Sequence, residues 1–356
     1  MSFPLSMVSA IVIADRAYKY LPGTINSIRQ QIFSGFEVLI FHDGKSALLQ
    51  EWFYRQSDPR LRLFNRKDLS LPQMFNLGIQ KAKGEYIAFL KAGDVWHPHK
   101  LQKQVFRLNC YPDVGLVDSW LVSLDRRGLS QGKVRKHQLA EWDRAEILKR
   151  NRISYQSVIV RRSCFNKIGL FDPQLKKTAD WDMWIRLSNH YRFMTIAEPL
   201  VYYRQERDRI PESWLTTETD LQIAIEKAYQ NAPIELQAIK NHSYAYSSLS
   251  LAQQVLQHQH PDYSVAHNYC RQALEQSLLV GFSPEFVRVA LSVIAISWLN
   301  SDDRYSYLVT LLDSGQTWLG VIFQKFRSSA QLVLNWMLEE EGGSNKEQPR
   351  IARNQK

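Results

Sequence analysis

The sequence predicts an α/β fold in which a doubly wound, mainly parallel sheet is followed by an all-α C-terminal region. Three observations lead to this prediction. Apolar, β-branched runs alternate with helical segments between Val8 and Cys110, as is typical of βαβ units. These runs are continuously apolar, as expected for strands that are buried on both faces of a parallel sheet. From about Pro211 the strand signal ends, and large apolar residues recur at helical spacing.

The predicted elements follow in order along the chain. The strands are residues 8–13, 37–41, 60–64 and 86–90, with further strands near 114–117, 158–160 and 201–203. In the first half, one helix opens at Leu21-Pro22, and another spans residues 74–83 up to Gly84, a residue type that commonly closes helices. The C-terminal helices are predicted over residues 221–229, 243–256, 263–279, 284–299 and 316–338.

The same signals divide the chain into three predicted parts. Residues 1–210 form the α/β domain, residues 211–338 form a helical C-terminal domain, and residues 339–356 form a disordered tail because they are mostly polar and charged. Trp318, Phe326 and Trp336 belong to an aromatic stripe on the last predicted helix. We expect this stripe to pack against neighbouring helices, with contact with a membrane surface as the alternative.

The composition is that of a soluble globular protein. Of the 356 residues, 45% are hydrophobic and 22% are charged, which excludes wholesale disorder. The formal net charge of +10 favours anionic partners such as nucleotides or phospholipid headgroups. A nucleic acid partner is not expected, because no recognition motif accompanies the charge.

The sequence favours a cytoplasmic location. Cys110, Cys164 and Cys270 are too few and too scattered for a disulfide framework, and they fit a reducing compartment. The N-terminal residues lack the pattern of a signal peptide, and the most apolar later segment, 287–299, is shorter than the roughly 20 residues that span a bilayer. A peripheral position at the inner face of the membrane remains the alternative.

Polar residues follow three of the predicted strands. Arg16 follows the first strand, Asp43 follows the second, and the run from Lys91 to Asp94 follows the fourth. Ligands of open parallel sheets bind beyond the carboxyl ends of the strands. We therefore expect these residues to share one edge of the sheet and to form one binding site.

A second group of candidate residues lies in the run from Asp180 to Arg186. Here Asp180 and Asp182 stand among Trp181 and Trp184. Burial beside large apolar rings raises the pKa of a carboxyl group and suits it to act as a general base. A structural role as the cap of a helix over residues 181–187 is the alternative for Asp180.

These motifs, with their order and spacing, resemble the inverting family-2 glycosyltransferases, whose catalytic domain has the GT-A fold. The resemblance covers about residues 5–205 and includes the runs 84–90, 95–98, 169–172 and 180–186. Some positions depart from the family pattern. Lys91 and Gly93 stand where the aspartates of the metal-binding motif are expected, whereas the adjoining Asp94 is kept, and Phe75 replaces an arginine.

The resemblance implies transfer of a sugar from a nucleotide-sugar donor to a hydroxyl group of a glycan, glycoconjugate or lipid-linked acceptor, with inversion. It implies Asp180 as the general base. The implied donor-binding residues are Asp43, Lys91, Asp94 and Arg16, and the implied acceptor-binding residues are Asp182, Trp181 and Trp184. Mg²⁺ or Mn²⁺ is the implied cofactor, with Asp94 as its remaining ligand. The alternative is a catalytically inactive relative that binds a nucleotide or glycan and scaffolds a partner.

Overall fold

A computed structural model describes residues 7–14, 18–44, 46–125, 128, 130–136, 143–204, 214–230, 232–258 and 261–298. The chain divides into two compact units, Met1–Ser247 and Ser248–Lys356. This division groups residues 214–247 with the sheet, and the domain boundary at residue 210 stays a prediction. The predicted helix over 316–338 and the predicted tail over 339–356 lie outside the described residues.

The described residues form nine strands and twelve α-helices. The strands are β1 (Val8–Ile13), β2 (Phe36–His42), β3 (Leu61–Asn65), β4 (Tyr86–Lys91), β5 (Val95–Trp96), β6 (Val114–Leu124), β7 (Ser130–Arg135), β8 (Ile159–Arg161) and β9 (Arg192–Arg204). The helices are α1 (Leu21–Arg29), α2 (Ala47–Tyr54), α3 (Leu71–Lys81), α4 (Lys100–Cys110), α5 (Arg144–Lys149), α6 (Arg162–Ile168), α7 (Ala179–Ser188), α8 (Trp214–Tyr229), α9 (Ile234–Gln237), α10 (Lys240–Leu256), α11 (Tyr263–Gln276) and α12 (Pro284–Trp298).

The strands form one mixed sheet in the order β3-β2-β1-β4-β8-β6-β9-β5, and β7 pairs with β6. Strand β1 is parallel to β2 and β4, and β2 is parallel to β3, so the first four predicted strands form a parallel half. Strand β8 runs antiparallel to β4 and β6, whereas β6 and β9 are parallel to each other. The predicted α/β class is therefore confirmed, with antiparallel pairs confined to the second half of the sheet.

The two faces of the parallel half are covered by different residues, because side chains alternate between faces along a strand. One face packs against apolar side chains of α1 and α4. On the other face, Phe89 of β4 contacts Phe75 and Phe171, with ring centroids 4.6 and 5.5 Å apart. Phe75 is only 2% exposed, so the residue at the arginine position of the family pattern belongs to the core.

Helix α3 differs from its prediction at both ends. It begins one turn earlier than residue 74, because Ser70 and Gln73 form a capping box that starts the helix. It also ends before Gly84, which has another role. A Cβ atom on Gly84 would lie 2.6 Å from the backbone oxygen of Met7, so glycine is required for the close approach of this segment to the start of β1.

The described part of the second unit is helical, as predicted. It contains the end of α10, together with α11 and α12, which contact each other. Buried Ala266, Cys270 and Ala273 lie on one face of α11 at helical spacing. Helix α11 ends at Gln276 rather than at residue 279, and a 3-10 turn over Leu278–Phe282 follows. Within the described residues, no helix combines the length and the apolar character that crossing a bilayer requires.

Candidate active site

The carboxyl ends of the parallel strands bring Asp43 and Lys91 to one edge of the sheet. Ile13, at the end of β1, pairs with Phe41 of β2 on one side and with Lys91 of β4 on the other. Asp43 follows β2 directly, and its carboxylate accepts a hydrogen bond from the Tyr18 hydroxyl group. The edge that the sequence predicts is therefore formed by residues of both neighbouring strands.

The turn from Lys91 to Asp94 is bound to α1. Gly93 has a φ angle of +108°, a conformation that residues with a side chain rarely adopt. The Thr24 hydroxyl group accepts a hydrogen bond from the Gly93 N–H at 2.9 Å and donates one to the Asp94 carbonyl oxygen at 2.8 Å. The Asp94 N–H donates to the Lys91 carbonyl oxygen at 3.0 Å. These hydrogen bonds hold the turn in one conformation, which glycine at position 93 permits.

The Asp94 carboxyl group is buried beneath this turn. The residue is 2% exposed, and its Oδ1 accepts a hydrogen bond from the Arg204 backbone N–H at 2.9 Å. The buried Oδ2 finds no hydrogen-bond partner among the described residues. Burial raises the pKa of Asp94 to about 6, although the Arg204 N–H, the Lys91 charge and the Gln156 side chain act to lower it. Asp94 therefore faces the interior of the protein.

Arg204, the last residue of β9, adds positive charge beside the turn. Its guanidinium group lies over the Tyr20 ring, 4.0 Å from the ring centroid, and its Nη1 donates to the Asp125 carbonyl oxygen at 3.0 Å. Stacking on an aromatic ring holds a guanidinium group at a defined position. Together with Lys91, Arg204 places two cationic side chains at the edge that also bears Asp43 and Asp94.

A divalent cation does not fit the side chains around this turn. Mg²⁺ and Mn²⁺ require several oxygen ligands. Among the described residues, no group of three or more His, Cys, Asp or Glu side chains is able to hold a metal ion. At one position of the metal-binding motif, the positive charge of Lys91 repels a cation. At another position, Gly93 has no side chain that could bind one. The unpaired Oδ2 of Asp94 is a single buried oxygen, which is too little for a metal centre.

Asp180 lies in the first turn of α7, whose N-cap residue is Thr178. Asp180 is therefore not the cap of this helix. Its Oδ1 accepts hydrogen bonds from the Trp181 N–H at 2.8 Å and from Asn151 Nδ2 at 3.1 Å. Burial raises the pKa of Asp180 to about 6, although these hydrogen bonds and the charge of Arg135 act to lower it. The residue as a whole is half-buried, unlike the neighbouring positions 179 and 181–185, which are buried.

Two stretches of chain connect the surroundings of Asp94 and Asp180. One is the segment 151–156, in which Asn151 donates to Asp180 and the Gln156 side chain lowers the pKa of Asp94. The two carboxyl groups with raised pKa values are therefore neighbours of one short loop.

Strand β6 is the second connection. On its two sides, β7 ends at Arg135 and β9 ends at Arg204. The charge of Arg135 acts on Asp180, whereas the backbone of Arg204 binds Asp94. The same part of the sheet thus supports both groups.

Trp181, Asp182 and Trp184 belong to the framework beneath Asp180. Asp182 is 3% exposed, and its oxygens pair with Arg186 at 2.8 Å and with Lys227 at 2.9 Å. Trp181 and Trp184 are 1% and 0% exposed, and their indole N–H groups donate to backbone carbonyl oxygens at 2.7 and 3.2 Å. These positions give no support to the predicted contact with an acceptor, because the polar atoms already have partners inside the protein.

The sequence pattern does not reveal Tyr18, Asn151 and Gln156. Each stands outside the predicted strands and helices, and neither periodicity nor a motif marks it. Only the folded chain brings these residues to the three aspartates at positions 43, 180 and 94. Arg16, the remaining predicted donor-binding residue, lies outside the described part of the chain.

The chain is similar in sequence to known glycosyltransferases. The model of glycosyl transferase family 2 matches residues 9–169. The chain is 31% identical over 193 residues to an uncharacterized glycosyltransferase of Methanocaldococcus jannaschii, which covers 52% of this chain and 66% of that protein. It is 21% identical over 323 residues to an uncharacterized glycosyltransferase of Rickettsia bellii, which covers 87% of this chain and 46% of that protein. The chain thus spans less than two thirds of the length of these curated relatives.

Two solved structures share the fold. The S. aureus TarS structure in complex with UDP-GlcNAc superposes with a TM-score of 0.54 at 16% identity, over 81% of this chain and 88% of that one. The mannosyltransferase PcManGT from Pyrobaculum calidifontis, in complex with GDP-Man and Mn²⁺, superposes with a TM-score of 0.52 at 14% identity, over 86% of this chain and 84% of that one. At these identities the similarity shows the GT-A fold alone.

Proposed function

Residues 9–169 form a domain of glycosyl transferase family 2, and from this premise we propose that the chain is an inverting glycosyltransferase. It moves a sugar from a nucleotide-sugar donor to a hydroxyl group of a glycan or glycoconjugate. One observation carries the proposal. Asp180, a half-buried aspartate with a pKa of about 6, is connected through one short loop to the sheet edge that bears Lys91 and Asp94.

The donor is assigned to the sheet edge. Asp43 accepts a hydrogen bond from the base or ribose of the nucleotide, whereas Lys91 and the turn at Asp94 lie towards its phosphates. Arg16 is assigned to the donor from its position in the sequence, after the first strand. The two fold neighbours support a nucleotide-sugar donor, since one was solved in complex with UDP-GlcNAc and the other with GDP-Man and Mn²⁺.

The acceptor hydroxyl group attacks the anomeric carbon of the sugar from the face opposite the nucleoside diphosphate. As the new oxygen–carbon bond forms, the bond between the anomeric carbon and the diphosphate oxygen breaks, and its electron pair leaves with the diphosphate. Asp180 takes the hydroxyl proton. A pKa of about 6 suits this step, because the group is ionised at neutral pH and more basic than an ordinary aspartate. Asn151 orients Asp180 by holding its Oδ1.

A catalytically inactive protein that binds a nucleotide or glycan and scaffolds a partner is the second candidate. It is favoured by the replacement of the metal-binding aspartates by Lys91 and Gly93. The surroundings of Asp180 favour the enzyme, because a carboxyl group with a raised pKa is typical of catalytic acids and bases.

Turnover of a panel of UDP-, GDP-, dTDP- and ADP-sugars, with and without glycan acceptors, tests the proposal. Asp180→Asn keeps the Oδ1 acceptor and the size of the side chain but takes up no proton. We expect its rate to fall by about 100-fold or more, with nucleotide binding unchanged. Asp113→Asn makes the same change at an exposed aspartate that pairs with Arg192, and this control should keep its activity.

Two results would contradict the enzyme assignment. Full turnover by Asp180→Asn would show that another group is the base. Nucleotide binding by the wild type without turnover of any donor would favour the scaffold function instead.

A further inference from the structure

We propose that this chain binds the diphosphate of its nucleotide without a divalent cation, with the Lys91 ammonium group in the place of the metal ion. The inference rests on the proposed function and deepens it, because it assigns the chemistry of the donor site. It follows from the conformation of the turn from Lys91 to Asp94 and from the charges around it.

The backbone of the turn is incompatible with the metal-binding motif. Gly93 has a φ angle of +108°, which disfavours any residue but glycine, so an aspartate at this position would strain the turn. Space is not the obstacle, because a Cβ atom there would meet Arg204 Cδ and Tyr20 Cδ2 at ordinary contact distances of 3.5 and 3.6 Å. The second aspartate of the metal-binding motif is therefore absent from the sequence and disfavoured by the conformation of the turn.

Asp94, the remaining aspartate of the motif, has a structural role. Asp94 is 2% exposed, and its Oδ1 is bound to the Arg204 backbone N–H. A diphosphate that approaches the sheet edge from solvent does not reach this buried carboxyl group. Asp94 thus stabilises the end of β9 and the position of Arg204, rather than offering a ligand to a metal ion beside the nucleotide.

Lys91 supplies the positive charge that a diphosphate requires. It ends β4 next to the end of β1, and its side chain is partly exposed. An ammonium group binds phosphate oxygens as a compact point charge. Arg204, held on the Tyr20 ring, adds a second cation to the same edge.

The charge balance of the site is compatible with this replacement. Three aspartates with a divalent cation carry one net negative charge, whereas Lys91 with Asp94 carries none. The replacement therefore leaves this edge with no more negative charge than the metal-loaded motif would have. During transfer, negative charge grows on the departing diphosphate, and a fixed ammonium group at this position stabilises it.

Calorimetric titration of the full chain with UDP, GDP, dTDP, CDP and ADP tests the inference. Each titration is done in excess EDTA and again with MgCl₂ or MnCl₂. We expect at least one nucleotide to bind in EDTA with an affinity within about twofold of that in the presence of metal. Lys91→Gln should weaken this binding at least about tenfold, because a charge-assisted contact with phosphate is lost.

Two further variants identify the cause of the loss. Lys91→Arg keeps the positive charge and should keep most of the affinity, so that weak binding by Lys91→Gln cannot be assigned to a folding defect. Lys81→Gln makes the same charge change at an exposed lysine that precedes β4, at its opposite end, and should bind like the wild type.

Three results would overturn the inference. Binding that requires Mg²⁺ or Mn²⁺ would overturn it and leave the proposed function standing. If wild type and Lys91→Gln bound the nucleotide equally well in EDTA, Lys91 would not be a ligand of the diphosphate. If none of the five nucleotides binds the wild type in either buffer, the donor site of the proposed function fails, and the inference fails with it.

Discussion

Two aspartates of α7 show how much the surroundings of a residue decide its role. Asp180 is partly exposed, and burial of its carboxyl group raises its pKa to about 6. Asp182 is 3% exposed, and its oxygens form ion pairs with Arg186 and Lys227. A general base needs an accessible carboxylate that takes up a proton readily. Of the two, Asp180 comes closer to this requirement, because Asp182 is more deeply buried and held in ion pairs.

The pH dependence of transfer tests the role of Asp180. We expect the rate to rise with pH through about 6 and then to level off, because Asp180 accepts a proton only in its ionised form. Asn151→Ala removes a hydrogen bond that favours the ionised form, so the pKa rises and the profile moves to higher pH. Initial rates at saturating donor, from about pH 5 to about pH 9, provide the measurement.

A matched control separates this effect from a general disturbance of α7. Asn189→Ala makes the same substitution at the exposed C-terminal end of the helix and should leave the profile unchanged. Identical profiles for wild type and Asn151→Ala would contradict the positioning role of Asn151.

At the scale of elements, an ion-pair cluster holds α7 to α8. Lys227 of α8 pairs with Asp182 of α7 at 2.9 Å and with Asp172 at 2.8 Å. Arg186, one turn along α7, completes the cluster through Asp182. The orientation of α7, and hence of Asp180, depends on this cluster.

Removal of Asp182 should therefore destabilise the fold. We expect Asp182→Ala to lower the free energy of unfolding by about 2–4 kcal/mol, somewhat less than for a fully buried pair, because Lys227 keeps part of its exposure. Urea unfolding of Asp182→Ala beside Asp180→Asn provides the measurement, and Asp180→Asn should be close to the wild type. The opposite result would be an Asp182→Ala variant that is as stable as the wild type but does not transfer sugar. This result would contradict the structural role of Asp182 and support its predicted contact with the acceptor.

The strands differ in how well their lengths follow from sequence. Strand β1 is found as predicted, because a continuous apolar run is stable mainly inside a sheet, and all its residues are buried. Strand β9 spans Arg192–Arg204, although the apolar pattern predicts only 201–203. Its first half mixes buried, partly buried and exposed residues, and it is held by pairing along β6. Pairing with a strand that is distant in the chain is hardly visible in the spacing of apolar residues.

At the scale of the whole molecule, the sheet and the residues up to Ser247 form one compact unit. Asp220 of α8 accepts a hydrogen bond from the Lys177 N–H at 2.7 Å, just before α7. A fragment of residues 1–210 lacks this bond and the pair between Lys227 and Asp182. We expect it to melt about 5–10 °C below a fragment of residues 1–247 in calorimetry. Equal melting temperatures would favour the boundary predicted at residue 210.

The fold was largely predictable, whereas the site was predictable only in part. The parallel strands and the common edge of Asp43 and Lys91 follow from apolar runs and from the polar residues behind them. The antiparallel half of the sheet did not follow, because the apolar residues near 158–160 predict the strand β8 but not the direction in which it pairs. Phe75 looked like a substituted binding residue, and only its contacts in the aromatic cluster show it to be part of the core.

By itself, the sequence determined which segments are buried strands and which polar residues follow them, because both are properties of neighbouring residues. The tertiary structure alone decided that Asp94 is bound to Arg204, that Asp182 is paired and buried while Asp180 is only half-buried, and that position 93 adopts a positive φ angle. These outcomes depend on groups that are distant in the chain. A side chain's burial, and with it the pKa of a carboxyl group, is set by whichever distant residues the fold places around it.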